Sequence, residues 1–289
     1  MLQDILVTGL VNGGVYALLA VGFSLVFGVA RIVNIAHTAF YMLAAYCAYA
    51  LLVKLQLPMG LAAVLAVAAV TGLSLLAYRL VIEPVREHEA AVLIATIALA
   101  LIFQEVMLFV FGGHYLGVPS AVDGVVRIGG VSIPHQRLLI LGVAVVVLAA
   151  ASFVLYRTRL GLAIRATAND LEVASLMGMD VRRVAMATVG ISVALASIAG
   201  VAVAPVFVVD PFMWLTPLVT VLSIVVLGGL GSLKGSVAGA LIIGYVEAIT
   251  VFALPQGSFL KGAVALSVMV AVLLVRPEGL FGLAFEEER

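Results

Sequence analysis

The sequence predicts an all-α, polytopic integral membrane protein. Its 289 residues are 65% hydrophobic, only 10% are charged, and the mean hydropathy is +1.30. A soluble domain carries about 25% charged residues, so too few polar side chains exist here to cover a water-soluble globule. The apolar residues form long runs, and much of the charge collects in one stretch between two of these runs.

The hydrophobic runs are long enough to be membrane-spanning helices, which need about 20 apolar residues each. We expect eight or nine transmembrane segments, some of them short or broken, in a single transmembrane domain, 1–289. Glycines interrupt the first run, and the seventh and eighth are short and glycine-rich, so these three could be re-entrant or broken helices. The runs lie near 5–29, 35–53, 59–80, 90–111, 138–156, 184–208, 217–230, 236–253 and 260–275.

The distribution of lysine and arginine orients these segments. With nine crossings, one set of loops holds eleven basic residues and the other holds four. This excess places the charged stretch and the C-terminus in the cytoplasm and the N-terminus outside. The outward loop 112–137 is rich in glycine, proline and alternating valine and isoleucine, which predicts turns and a small hairpin. It either docks an external partner or simply connects two helices.

The charged island, residues 157–183, contains five arginines and three acidic residues. Helical spacing places Arg165, Asn169 and Glu172 on one face. Asn169 or Asp170 could cap a second short helix that ends at Gly178. Such an amphipathic element either lies on the membrane surface or fits a groove on another protein. The opposite, apolar face contains Leu160, Ile164, Ala168, Leu171 and Ala174.

Polar residues inside apolar segments are candidates for a translocation pathway, because a charge there costs about 2.5–3.5 kcal/mol on insertion scales. The alternative is that each makes a hydrogen bond between helices. His37, beside Asn34 at a helix boundary, is better explained as a packing or helix-breaking residue than as a proton relay. The pathway candidates are Asn12, Asn34, His37, Gln104 and Glu105, and Glu247 is a further polar residue of this kind.

Glycines at four-residue spacing, Gly231, Gly235 and Gly239, let helix backbones approach closely. They serve either helix packing or a hinge between short helices. The hinge or packing candidates are Gly228, Gly229, Gly231, Gly235 and Gly239.

The sequence carries no signature of enzyme or metal chemistry. The run GGLGSLKG is not a Walker A motif, because Gly235 rather than Ser or Thr follows Lys234. The single cysteine, Cys47, cannot form an internal disulfide, and no metal-ligand spacing occurs. With a formal net charge of +0, the chain offers no evident basic surface to nucleic acid. We therefore expect no catalytic residue, no metal site and no nucleic-acid partner.

Four stretches resemble the membrane permeases of branched-chain amino acid ABC importers. Glu172-Val173-Ala174, followed after three residues by Gly178, resembles the EAA-x3-G signature of ABC importer permeases, with Val173 in place of an alanine. Residues 12–46 resemble the family's N-terminal motif, although Thr38 stands where glycine is usual. Residues 226–244 and 276–282 resemble its glycine-rich and C-terminal segments. The compact N-terminus is similar to that of the LivH-type subunit.

This resemblance implies a complete transport machine in the bacterial inner (plasma) membrane. A LivM-type paralogue would be the second permease, two cytoplasmic ATPases would bind the ATP, and a periplasmic binding protein would deliver leucine, isoleucine or valine. This chain would then contact lipid, need no cofactor of its own and be no enzyme. Residues 168–178 would be the cytoplasmic coupling helix. The ATPase-coupling candidates are Arg165, Asp170, Glu172, Ala174 and Gly178.

Three other functions stay open at this point. The same machine could carry urea, short amides or other amino acids, because the binding protein normally sets specificity. A proton-coupled secondary transporter would use Glu105, Glu247 or His37 and need no ATPase. A membrane scaffold is the non-transport alternative, although glycine-interrupted spans are more typical of moving or pathway-lining helices.

Overall fold

The computed structural model describes residues 2–128 and 131–282 of the chain. Eleven α-helices and one two-stranded hairpin make up the regular structure of these residues, apart from short π-type and 3-10 turns. The helices are α1 (Leu2–Ala30), α2 (His37–Tyr49), α3 (Met59–Ala77), α4 (Glu89–Phe111), α5 (His135–Arg157), α6 (Arg159–Asn169), α7 (Leu171–Leu176), α8 (Val181–Val203), α9 (Leu215–Gly228), α10 (Leu233–Ala253) and α11 (Gly257–Val275). The π-type turns Ala50–Lys54 and Tyr78–Ile82 extend α2 and α3, and the 3-10 turn Glu83–Val85 follows the second of them.

Seven of the described helices are long and apolar enough to cross a membrane: α1, α3 with its extension, α4, α5, α8, α10 and α11. The shorter helices α2 and α9 are apolar as well. All nine hydrophobic runs in the sequence are therefore helical. This confirms the prediction of an all-α polytopic membrane protein with some short helices.

The possibility that the first and eighth runs are broken at their glycines is not realised. Helix α1 continues without interruption for 29 residues and α10 for 21. Their glycines instead let the two helices pack antiparallel at very short range. A Cβ built on Gly244 would lie 2.6 Å from the amide nitrogen of Gly13, and one on Gly13 would lie 3.2 Å from the Cα of Leu241. Small residues are the usual means of close helix approach in lipid.

Helix α1 lies at the centre of the bundle. It contacts α5, α8, α9 and α10, and 78% of its most apolar window is buried, against 6% for α11. Leu18, Leu19 and Ala20 are almost completely enclosed within the larger hydrophobic core. The helices α3, α4, α5 and α11 expose most of their apolar surface and form the outside of the bundle.

Among the described residues, two stretches of non-helical backbone reach into the bundle. After α1 ends at Ala30, the chain turns back before α2 begins at His37. The His37 ring lies 3.1 Å from the Leu19 carbonyl oxygen and 3.3 Å from Ser192 Oγ, beside the middles of α1 and α8. Helix α2 therefore starts half-way along the bundle. The predicted helix boundary at this histidine is confirmed.

The second non-helical stretch, 204–214, connects α8 to the short helix α9. Val209 pairs with Leu116 through two backbone hydrogen bonds of 3.0 Å. The indole N–H of Trp214 donates to Gln104 Oε1 at 3.0 Å, well inside the end of α4. The stretch 204–214 therefore runs into the bundle, alongside α4, before α9 starts.

The bundle has two chemically different ends. At the island end, Gly28 of α1 lies beside Ala168 and Gly231. At the opposite end, which we call the cavity end because a cavity lies between its helices, Arg137 at the start of α5 donates to Thr8 Oγ1 in α1 at 3.3 Å. The cavity end also carries the antiparallel hairpin of β1 (Val125–Ile128) and β2 (Val131–Pro134), which confirms the small hairpin predicted in the loop 112–137.

Candidate functional site

The charged island folds into two helices, α6 and α7, which meet at Asp170. Thr158 caps α6 by accepting a hydrogen bond from the Gly161 N–H at 3.1 Å. Asp170 caps α7 through a 2.9 Å bond from the Val173 N–H. Ser, Thr and Asp are preferred at this position because they satisfy amide groups that have no partner in the helix. The predicted cap at Asp170 is confirmed.

Helix α7 ends at Leu176, two residues before the Gly178 terminator that the sequence predicts. Gly178 has a φ of +81°, and the N–H of Met179 bonds back to the Ala174 carbonyl oxygen at 3.1 Å. Glycine adopts this left-handed backbone at no steric cost and commonly terminates helices. The buried Ala174 faces inward, so α7 is held both by its ends and by its inner side.

Helix α7 and its C-cap residue expose four apolar side chains, next to the exposed Glu172 and Ser175. The exposed fractions of Leu171, Val173, Leu176 and Met177 are 40%, 53%, 85% and 75%. We call these four residues the α7 knob. The single apolar face predicted for the island does not form, because the break at Asp170 turns α7 relative to α6. Ile164 and Ala174 are buried, whereas Leu160 and Leu171 are exposed.

The coupling candidates are spread around the knob and form no single surface. The Arg165 guanidinium stacks over the Tyr156 ring at 5.2 Å. Glu172 is exposed in the first turn of α7, where its negative charge stabilises the helix by interacting with the helix dipole. Asp170, Ala174 and Gly178 shape the element through the contacts described above.

An ion pair braces the island against the rest of the bundle. Arg182 Nη2 donates to Glu83 Oε2 at 2.9 Å, and its Nε contacts Glu83 Oε1. The bidentate contact joins the start of α8 to the 3-10 turn after α3. Asp180 caps α8 by accepting from the Arg183 N–H at 3.1 Å. The island is therefore fixed at both of its ends.

At the opposite end lies a cavity of about 530 Å³, which we call the bundle cavity. Its walls come from most of the inner helices and from the 204–214 stretch. Apolar residues predominate, among them Val15, Ile140, Phe207 and Met213. The polar residues that line it are Thr8, Asn12, Tyr16, Tyr41, Arg137, Asp210, Thr216 and Lys261.

Only Asn12 of the five pathway candidates lines this cavity. Gln104 accepts from Trp214, as above, and donates to its exposed neighbour Glu105 at 3.3 Å. His37 is enclosed between α1, α2 and α8, with Phe23 packed edge-on at 5.9 Å. The five candidates therefore do not surround one space. The sequence could not show this, since apolarity along a run does not reveal which side of a helix faces inward. Asn34 is buried between α1 and α2.

The hinge or packing glycines lie where α9 turns into α10. The backbones of Gly228 and Gly235 touch, and a Cβ on Gly239 would lie 2.8 Å from the Ile224 carbonyl oxygen. The stretch 276–282 closes over this turn. The Leu280 and Phe281 N–H groups donate to the Leu227 and Gly228 carbonyl oxygens at 2.9 and 3.0 Å. The contacts support the packing interpretation, and they bring together two of the stretches that carried the family resemblance.

The comparison with known families decides what kind of protein carries these two ends. Residues 5–274 match the family described as the permease component of branched-chain amino acid transport systems. The chain belongs to this permease family.

In the described residues, no group of three His, Cys, Asp or Glu side chains is arranged to hold a metal ion.

Individual relatives match the permease over nearly its whole length. The high-affinity branched-chain amino acid transport system permease protein LivH of Escherichia coli K12 is 29% identical, covering 95% of this chain and 93% of its own. BraD of Pseudomonas aeruginosa is 31% identical, covering 96% and 94%. A probable branched-chain amino acid permease, LivH of Methanocaldococcus jannaschii, is 26% identical, covering 98% and 93%.

A solved structure shares the fold of the permease. A chain of PsaBC from Streptococcus pneumoniae, in complex with a Fab, superimposes with a TM-score of 0.52 over 95% of this chain and 92% of its own. Its sequence identity is 16%, so the likeness concerns the arrangement of the helices alone.

Three charged residues that line the permease's bundle cavity were not among the site candidates predicted from the sequence. Arg137 and Lys261 counted only toward membrane orientation, and Asp210 was not singled out. Asp210 is followed by Pro211 inside an apolar stretch, and Asp-Pro is a turn signal. That signal could have marked an interruption of the helix and a carboxylate placed within the bundle.

Proposed function

We propose that this permease is the membrane subunit of an ATP-binding cassette importer for branched-chain amino acids, and that the α7 knob couples it to a separate ATPase. The observation that carries this proposal is the exposure of four apolar side chains on a short, doubly anchored helix within the charged island. The relatives LivH and BraD are branched-chain amino acid transport system permeases, which supports the substrate class.

The knob has the features of a protein-docking element. Apolar side chains that protrude together in water mark interaction sites, and an amphipathic helix commonly binds by laying its apolar side in a groove. The caps at Thr158, Asp170 and Asp180 and the Arg182–Glu83 pair hold the island in place. A braced helix transmits displacement to the bundle, whereas a loose loop would absorb it.

Docking of this kind supplies the energy of transport by linkage. An ATPase dimer that closes on ATP and binds one permease conformation better than the other shifts the population toward that conformation. Moving a population from 1:99 to 99:1 takes about 5.5 kcal/mol of differential binding. A few well-buried apolar anchors, each a hot spot of about 2 kcal/mol or more, supply an energy of that size.

The proposal also fixes the orientation and the partners. The island end faces the cytoplasm and the cavity end faces the outside of a bacterial inner membrane, where a periplasmic binding protein delivers the amino acid. The C-terminus lies on the cytoplasmic side. The largely exposed apolar faces of α3, α4, α5 and α11 are available to a second permease subunit, a LivM-type paralogue, and to lipid. ATP binds to the two ATPase subunits.

The test is copurification from native membranes in mild detergent, with leucine uptake measured in the same strains. Wild-type protein is expected to bring down a second permease and two ATPase polypeptides. The double variant Leu176→Asp, Met177→Asp should lose the ATPases and the uptake while its membrane content stays unchanged. Ser175→Asp is the control for added charge, because it places one of the two negative charges on an exposed polar position of α7.

Two results would contradict the proposal. One is a wild-type protein that never associates with an ATPase under any nucleotide condition. The other is a double variant that keeps both ATPase binding and uptake. Uptake of urea or short amides in place of leucine would move the proposal to another substrate of the same machine.

The alternative function, proton-coupled secondary transport, would depend on one buried acid, Glu247. Glu247 is 0% exposed and accepts hydrogen bonds from Tyr16 at 2.7 Å and Thr220 at 3.3 Å. Uptake that survives ATP depletion, collapses with the proton gradient and is lost in Glu247→Gln would favour that mechanism over the ATPase-driven one.

A further inference from the structure

Three charged side chains from three separate elements line the bundle cavity. Asp210 belongs to the 204–214 stretch, Arg137 to the start of α5 and Lys261 to the start of α11. Among the residues that the structure describes, none of the three forms an ion pair. Arg137 donates one hydrogen bond, to Thr8. The cavity thus presents one carboxylate and two cations that do not neutralise one another by direct contact.

Unpaired charges between apolar walls are costly unless water or a ligand satisfies them. The nearby Glu247 is different, since its two oxygens already accept from Tyr16 and Thr220. Asp210 uses Oδ1 to accept from the Phe212 N–H at 2.8 Å, which orients the carboxylate. No further hydrogen bond to that carboxylate occurs within the described residues. Asp210 is therefore the acid with capacity left for a ligand.

The backbone that carries Asp210 is held firmly in place. Its neighbour Val209 pairs with Leu116 on the other side of the cavity end, and Trp214 is tied to Gln104. Non-helical backbone at membrane depth is tolerated where it is buried in protein or lines a water-filled cavity. The stretch that carries Asp210 does line the cavity, so the fold places a fixed carboxylate at the surface of a cavity whose walls are otherwise mostly apolar.

We propose that the bundle cavity binds the zwitterionic head group of an amino acid during its passage. Asp210 accepts the α-ammonium group, and Arg137 and Lys261 donate to the α-carboxylate. The apolar side chain of the amino acid lies against the valine, phenylalanine and methionine walls. This inference rests on the proposed function and adds to it the residues that recognise the solute.

The chemistry of the cavity discriminates among solutes. A zwitterion satisfies the acid and the cations together. Urea or a neutral amide would bring no counter-charge to Asp210, and it would leave Lys261 and Arg137 with only their electrostatic interactions with Glu247 and Asp4. A site built to bond a polar group rejects an analogue that lacks it, because its own groups then remain unpaired. The cavity volume of about 530 Å³ lies within the range of about 300–1,000 Å³ that is typical of small-molecule sites.

The experiment compares three probes on the intact permease assembly in nanodiscs of phosphatidylglycerol, a lipid without a zwitterionic head group. The probes are L-leucine, L-leucinamide, which lacks the carboxylate, and 4-methylpentanoate, which lacks the ammonium group. Saturation-transfer NMR titrations give their relative affinities. Leucine uptake by the same assemblies is measured in parallel. The variants are Asp210→Asn, Arg137→Gln and Lys261→Gln, with Asp123→Asn and Lys54→Gln as exposed controls.

We expect wild-type protein to prefer L-leucine to both analogues by roughly ten-fold or more, the ratio that corresponds to one charge-assisted hydrogen bond. Asp210→Asn should remove the preference over 4-methylpentanoate and keep the preference over L-leucinamide. Each cation variant should reduce the preference over L-leucinamide, because one cation remains, and keep the preference over 4-methylpentanoate. A purely structural role would change all three affinities together, so the pattern identifies direct contact. The asparagine keeps a side-chain oxygen for the Phe212 N–H, which protects the fold.

Unchanged preferences in all three site variants, or equal effects in the exposed controls, would overturn the inference. The proposed function would stand in that case if ATP-driven leucine uptake persists. If the wild-type assembly transports no leucine, the proposed function itself fails, so the uptake measurement separates the two failures.

Discussion

The two ends of the permease break the usual distribution of polar and apolar side chains in opposite ways. At the cavity end, half-buried charged groups face a partly open cavity whose walls are mostly apolar. At the island end, Leu176 and Met177 protrude from a segment rich in arginine. Buried polar groups and exposed apolar patches are the informative exceptions to the burial rule. The first suits a small charged solute, and the second suits a protein surface.

One central helix connects these two surfaces. Near the cavity end, Asn12 and Tyr16 of α1 line the bundle cavity. At its other end, Gly28 lies against Ala168 of the island. Because α1 is unbroken between these points, a displacement of the island can reach the cavity through α1 and the helix packed most closely on it, α10.

The largest expected effect comes from separating α1 and α10, which would disturb both ends together. In Gly244→Val, the new side chain would meet the backbone of Gly13, 2.6 Å from its nearest atom. Overpacking typically costs about 1–3 kcal/mol and sometimes more, and the backbone of α1 has little room to move. We expect loss of monodisperse protein in detergent and loss of leucine uptake.

The matched control is Gly72→Val, because nothing lies within 4 Å of a Cβ at that position in α3. It should leave both yield and uptake unchanged. If Gly244→Val also gave stable, active protein, the two ends would not depend on the α1–α10 contact.

Much of this bundle was predictable from the sequence, because length and apolarity alone define a membrane helix. The same signal could not tell that α1 continues through Gly9, Gly13 and Gly14. A glycine weakens a helix locally, but here it also removes the side chain that would keep α10 away. The packing partner decides between a break and a contact, and that partner lies more than 200 residues further along the chain.

The island and the cavity differed in how far the sequence could describe them. Asp170 and Gly178 are local signals, a cap and a terminator, so α7 could be placed before its structure was known. The bundle cavity depends on Asp210, Arg137 and Lys261, which come together only through tertiary folding. Hydrophobic periodicity does not show which residues of distant helices come close together. Four of the five pathway candidates chosen from the sequence therefore do not line the cavity.

The second prediction disturbs the cavity end alone. Trp214 is 3% exposed, and its indole N–H donates to Gln104. Gln104→Leu would leave this buried donor unsatisfied, at a cost of about 1–3 kcal/mol. The 204–214 stretch should loosen, which would be measured as faster hydrogen exchange there and weaker leucine uptake. ATPase binding at the island end should persist, and Glu105→Gln serves as the exposed control.

The third prediction disturbs the island end alone. Gly178→Val places a β-branched residue at a φ of +81° with open space around it, so only backbone strain of about 1–2 kcal/mol arises. Helix α7 should fray, and ATPase copurification should fall while solute binding at the cavity is retained. Gly178→Asn should be milder, since asparagine tolerates this conformation. Equal effects of valine and asparagine would argue against a role for the turn geometry.

The smallest expected effect tests how firmly the island is braced. Arg182→Gln removes the ion pair with Glu83. The Arg182 side chain is 58% exposed, and exposed pairs contribute about 0.2–1 kcal/mol. The bidentate geometry and the partly buried Glu83 place this pair near the upper limit. We expect ATPase coupling to weaken about two- to five-fold at low salt, and the difference from wild type should shrink as salt screens the pair. Arg183→Gln removes the more exposed pair with Asp180 and should change less. An equal loss in both variants would mean that charge density on the island, rather than the brace between α3 and α8, controls docking.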